Sequence, residues 1–146
     1  MPLISPDDQH KLHVAFADMT RSVRLLFFTQ TVASETCAQA RAILDELPPL
    51  SAKIAIEELN LILDADKAAQ YGIDRAPAIA LVYEDAGVIA DSRIRFLGAP
   101  SGYEFISLVH AILLAGGCGS NLGDDSLRLI AAVDRPLTMK VFTTPT

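Results

Sequence analysis

Cys37 is the residue of this chain best placed to do chemistry. It stands one helical turn into the segment Ser34-Glu35-Thr36-Cys37, which follows an apolar, strand-like run over residues 23–29 (VRLLFFT). Amide N–H groups and the dipole at a helix N-terminus lower the pKa of a thiol at its first position, and a cysteine one turn further in is less exposed. Here the first position is Ser34. A serine hydroxyl keeps its proton near neutral pH unless a dedicated base removes it, and no histidine lies nearby in the sequence. As a helix N-cap, however, serine is among the best residues, worth about 1 kcal/mol against alanine. Two roles are therefore open to Cys37. It packs as a small apolar group below a serine-capped helix, or it is a single reactive thiol, which requires exposure and an acidified sulfur. The helical spacing of Cys37, Ala40, Ile43, Leu44 and Leu47 turns it inward and favours the first.

The other reactive side chains are weaker candidates. Cys118, in GGCGSN, is expected to be the more accessible thiol, with nothing near it to lower its pKa. A Cys37–Cys118 disulfide would need Cα atoms within about 7 Å, which the sequence leaves open. His10 and His13, three residues apart on a helix, lack a third ligand and read as a solvated face, so no metal site is expected. Pro77 enters an apolar run (DRAPAIALVY); lacking an N–H, it must sit at the first residues of a strand or on an edge.

The elements that must position these residues are legible in order. Ser5-Pro6-Asp7-Asp8 opens a helix to about Met19, burying Leu12, Phe16 and Met19. A strand over 23–29 is followed by a helix from Ser34 to Leu47, stopped by Pro48 and Pro49. A second strand over 54–59 must run parallel to the first, because a helix-sized connection separates them. A short helix over 64–71 ends at Gly72 as a left-handed cap. The third strand contains IALVY. A fourth over 93–98 pairs with it across EDAGVIAD, and a helix spans 102–115. After a flexible joint at GGCGSN come a helix over 124–133 and a strand over 138–143 (TMKVFT). The domains expected are residues 1–116, one unit with a degenerate SxxC site, and 117–146, a linker helix and the first strand of a missing or truncated second unit.

Composition bounds the function classes. The chain is 51% hydrophobic and 21% charged, which excludes a disordered segment. Its net charge of −6, with no basic cluster, argues against nucleic acid or an anionic membrane surface. No signal-peptide pattern or membrane-length apolar run is evident, and two distant cysteines make no disulfide framework, so a soluble, cytoplasmic protein is expected.

Beyond these readings, LISPDDQHKLHVAF at the start, the helix from Ser34, GIDRAPAIAL, IRFLGAPSGYEF and KVFTTPT at the end together resemble the two-unit protein disulfide oxidoreductases. These are glutaredoxin-like proteins with two thioredoxin-fold units in one chain, and the likeness covers nearly all of the sequence in order. The resemblance implies an α/β, thioredoxin-like fold: βαβ-α-ββα behind an N-terminal helix, three layers α/β/α around a mixed sheet. It places the family's first Cys-x-x-Cys on Ser34-Glu35-Thr36-Cys37, with the resolving cysteine kept and the attacking one replaced. The family's cis-proline falls on Pro77 after Ala76, the pair expected to bind an extended peptide or glutathione by strand addition. The family's GxPxGHEF-like segment falls on residues 98–105, with Tyr103 in place of histidine, and KVFTTPT resembles the opening of the second unit. The N-terminal domain of alkyl hydroperoxide reductase flavoproteins has the same plan, its first unit also without a dithiol.

The implied function is a catalytically degenerate N-terminal unit in a thiol–disulfide redox system, supporting a second, dithiol-bearing unit and using no cofactor. The alternatives are a monothiol oxidoreductase using Cys37, acting on protein disulfides or glutathione, and a peptide-binding module or homodimer built through residues 117–146.

Overall fold

A computed structural model describes residues 2–30, 32 and 34–144. Helix α1 (Pro6–Ala17) starts where the sequence predicts: the Ser5 hydroxyl oxygen accepts the Asp8 N–H at 3.2 Å. Strand β1 (Ser22–Thr29) leads to α2 (Glu35–Leu44), a 3-10 turn (Pro48–Leu50) and β2 (Ile54–Asn60). Then come α3 (Ala65–Gln70), the hairpin β3 (Ala78–Asp85) and β4 (Val88–Leu97), α4 (Tyr103–Ala115) and α5 (Asp124–Ala131). The four strands form one mixed sheet in the order β2-β1-β3-β4, with β1 and β2 parallel and the other pairs antiparallel.

Strand alternation divides the core in two. Val23, Leu25 and Phe27 of β1 point to one face, where Phe16 of α1, Ala40 and Leu44 of α2 and Leu108 and Ile112 of α4 cover them. Leu26 and Phe28 point to the other, which Ala68 of α3 and Ile73 cover. This is the three-layer α/β/α arrangement, with α3 packed on the second face.

Helix α2 ends at Leu44, three residues before the expected Leu47. In a continued helix the Pro48 ring would collide with the carbonyl four residues back, that of Leu44, so the helix stops there. Leu47 is nevertheless fully buried. Helix α3 ends at Gly72 (φ 66): the Gly72 and Ile73 N–H groups donate to Ala69 and Ala68, closing a Schellman motif.

The fourth strand is longer than expected. EDAGVIAD is no loop: Ala86 (φ 50) and Gly87 (φ 79) form a two-residue hairpin turn and β4 begins at Val88. What hides the strand in the sequence is an irregularity at Asp91-Ser92-Arg93, where the register shifts and Arg93 takes φ 64. The Ser92 hydroxyl donates to the Leu81 carbonyl at 2.6 Å, which the shifted ladder leaves free, and Arg95 clamps Asp91 through two nitrogens.

Nor is GGCGSN wholly a flexible joint. Gly117 (φ 92) and Cys118 donate to Leu114 and Leu113 and end α4, while the Gly116 carbonyl accepts the N–H groups of Thr20 and Arg21. Helix α5 is shorter than the expected 124–133 and buries no residue. Residues 138–143, expected as a strand, join no ladder; they are exposed, with Thr143 donating to Glu104 at 2.5 Å. Pro145 and Thr146 of KVFTTPT lie outside the described residues.

Candidate functional site

Thr29, the last residue of β1, is where the sequence-predicted residues meet. On one side it pairs with Asn60 of β2, and its carbonyl accepts the Leu61 N–H at 2.9 Å. On the other, the antiparallel register Phe28↔Ala78 brings Pro77, the residue before β3, alongside it. The Ala76–Pro77 peptide bond is cis. Pro77 is buried and Ala76 half-buried, and the Pro77 carbonyl accepts the Gly98 N–H at 2.9 Å, which ties in the loop before α4.

Helix α2 begins over the same strand end. Ser34 has extended dihedrals (φ −93, ψ 138) and its hydroxyl oxygen accepts the Cys37 N–H at 3.0 Å. The helix start is thus as the sequence suggests: Ser34 is the N-cap and Cys37 faces inward, 7% exposed.

The surroundings of Cys37 differ from those of a packed core thiol. It belongs to neither of the two apolar clusters among the described residues. Burial pushes its thiol pKa up, but hydrogen bonds from the Ser34 and Thr29 hydroxyls and the Gln30 backbone N–H favour the thiolate and together hold it below the ordinary thiol value. The inward spacing of α2 predicts a thiol that is neither exposed nor acidified. Cys37 is buried, as that spacing requires, and the donors at the end of β1 favour its thiolate. Thr29 and Gln30 are absent from the sequence reading. Their only signal there is position, at the strand end immediately before a helix start.

The remaining candidates lie elsewhere. Cys118 is half-buried against the larger cluster, more exposed than Cys37, and both cysteines are free. His13 is engaged with the Leu50 carbonyl at 2.9 Å, and no group of three or more metal-ligating side chains occurs among the described residues. No helix among them is long and apolar enough to cross a membrane.

A strand ending at a helix-capped SxxC, a cis-proline opening the neighbouring strand and a βαβ-α-ββα order define a thioredoxin fold. Comparison with known proteins agrees. A probable thioredoxin of Methanothermobacter thermautotrophicus is 31% identical over 75 residues, 51% of this chain and 78% of that protein. The chain belongs to the thioredoxin family. No family profile matches it. Among solved structures, the N-terminal domain of the alkylhydroperoxide reductase AhpF of Enterococcus faecalis superimposes with a TM-score of 0.79 at 30% identity. That match covers 90% of this chain and 62% of the other. A protein disulfide oxidoreductase of Aeropyrum pernix shares the fold, with a TM-score of 0.68 at 21% identity over 88% of this chain and 54% of its own. The chain thus spans about three fifths of the length of the AhpF domain it resembles, and has a thioredoxin fold.

Proposed function

We propose that residues 1–116 form a one-thiol thioredoxin-fold unit, unable to complete dithiol exchange, and that residues 117–146 belong to the junction with a second, dithiol-bearing unit. The observation that carries this reading is the uncovered apolar surface of α5 and the segment after it. Leu129 is 74% exposed, Phe142 89%, and Leu127, Ile130, Val133, Met139 and Val141 are also open to solvent. An eight-residue helix has too few hydrogen bonds to stand alone in water, so its apolar face calls for a partner. The greater length of the AhpF domain supports a second thioredoxin-like unit as that partner; a second copy of this chain is the other occupant of the same surface.

The hydrogen bonding around Cys37 favours a second reading that is compatible with the first: a monothiol site beside Ala76 and Pro77. Its thiolate attacks a protein or glutathione disulfide, forms Cys37–S–S–R and releases the other sulfur as a thiolate. Ser34 cannot attack that mixed disulfide, so its release needs an external thiol. Insulin reduction with dithiothreitol tests the degenerate-site reading. The chain alone gives at most slow turnover, through release of the Cys37 mixed disulfide by dithiothreitol; turnover at the rate of a dithiol thioredoxin contradicts it.

A further inference from the structure

Helix α4 is apolar on two sides. Its buried side, with Leu108 and Ile112, covers the sheet. A second stripe, also at helical spacing, faces solvent: Tyr103 is 79% exposed, Ile106 54% and Leu114 44%. From Phe105 to Ala115 the helix has no Asp, Glu, Lys or Arg. The open faces of α1 and α2 differ: Lys11 pairs with Asp7 on the first, and Arg41 with Asp45 on the second. A solvated helix face ordinarily carries such charges, whereas a helix that is apolar all round is one that becomes covered.

The chain beyond α4 returns along it. Cys118 donates to the Leu113 carbonyl near the C-terminal end, and Thr143 donates to Glu104 in the first turn, about 14 Å away at the helical rise. Between these two ties lies α5, which buries none of its residues. Two apolar helical surfaces therefore stand open on one side of the molecule. Among the described residues, twelve large apolar side chains from α4 onward are exposed. At roughly 100 Å² each, about half the surface of an aromatic side chain, they exceed the ~300–600 Å² patch of a typical monomer and reach the ~800 Å² that each partner buries in a stable complex.

We infer that the outer stripe of α4 and the apolar face of α5 form a docking surface for a second copy of this chain, paired about a two-fold axis with α5 of each copy on α4 of the other. This rests on the reading of residues 117–146 as an association surface. A second copy fits because it brings both halves of the contact. One half is an amphipathic helix without a partner; the other is an uncharged stripe on a 13-residue helix, long enough to take the eight residues of α5. The two-fold closes the pair, so no longer array of copies grows. The net charge of −6 opposes pairing over the rest of the surface, but no charged side chain between Phe105 and Ala115 repels the copy.

The experiment is sedimentation equilibrium of the reduced Cys118→Ser protein, which can form no disulfide through that residue, between about 1 and 100 μM. The parent is expected at twice the mass of one chain. Ile106→Glu with Leu114→Glu on α4, and Leu127→Glu with Ile130→Glu on α5, should each raise the dissociation constant about tenfold or more. Val14→Glu, at a comparably exposed apolar position on α1, should leave it unchanged. Circular dichroism checks the fold of each variant, and Ile106→Gln with Leu114→Gln replaces the charged α4 pair if that pair does not fold. A monomer at every concentration overturns the pairing. So does a dimer that the α4 substitutions leave intact, or that Val14→Glu weakens as much as they do. A dithiol-bearing thioredoxin unit supplied in trans separates this from the junction reading. If it binds a chain that does not pair with itself, the pairing fails and the junction stands; if neither complex forms, both fail.

Discussion

The Cys37 backbone N–H donates to the Ser34 hydroxyl oxygen at 3.0 Å, so the residue that replaces an attacking cysteine is also the cap of the helix that carries the remaining one. Ser34→Ala should therefore cost about 1 kcal/mol in stability, read as a lower midpoint in urea with an unchanged slope. The same variant should raise the Cys37 thiol pKa, since one donor to the sulfur is gone. Ser34→Cys should rebuild a Cys-x-x-Cys and raise insulin reduction well above that of the parent; a Ser34→Cys protein that forms no disulfide with Cys37 under oxidising conditions contradicts the placement.

The depressed thiol pKa has a consequence for stability against pH. Burial opposes ionisation, and the donors from Ser34, Thr29 and Gln30 outweigh it, so the folded protein binds this proton less tightly than the unfolded chain. The stabilisation is then fully present above the unfolded thiol value of about 8.5 and is lost as pH falls through the lower, folded value. Urea midpoints measured between pH 6 and pH 9 should rise with pH in the Cys118→Ser protein relative to Cys37→Ala in the same background. Parallel midpoint curves would show that the sulfur is not acidified.

Gly117 should resist substitution. Its φ of 92 lies outside the range of L side chains, and an added Cβ would stand 2.2 Å from the Thr20 hydroxyl oxygen. Gly117→Ala is expected to destabilise by about 1 kcal/mol or more, seen in thermal unfolding. A part of this should be recovered by Thr20→Ala in the double variant, because the clash is with that side chain.

The exposed face of α5 predicts the opposite pattern. Leu127→Glu with Ile130→Glu should leave the stability of the unit within about 0.5 kcal/mol, since α5 buries none of its residues. The pair should weaken association, measured by sedimentation of this chain alone or with a dithiol-bearing thioredoxin unit supplied in trans. It should also reduce binding of a hydrophobic dye. Loss of the folded unit itself would mean that α5 is packed on it.

The sequence was informative wherever one element's physics decided the matter. The buried stripe of α2, the Gly72 stop, the parallel β1–β2 pair and the inward turn of Cys37 all follow from spacing, turn chemistry or connection length. The start of β4 was not legible, because Asp91, Ser92 and Arg93 look like a loop and become a strand only when Ser92 satisfies the Leu81 carbonyl across the ladder. The end of α2 was legible in principle, through the conflict between Pro48 and the Leu44 carbonyl. The polar setting of Cys37 was not: the Thr29 hydroxyl reaches it only once β1 lies beneath α2, and no spacing along the chain records that contact.

The measurement closest to the centre of this account is the product of reduced Cys118→Ser protein with oxidised glutathione at neutral pH, followed by mass spectrometry of the folded protein. The account predicts one glutathione per chain, on Cys37, stable until an external thiol releases it. A folded chain that takes up no glutathione on Cys37, or one that discharges it without added thiol, would contradict the one-thiol site.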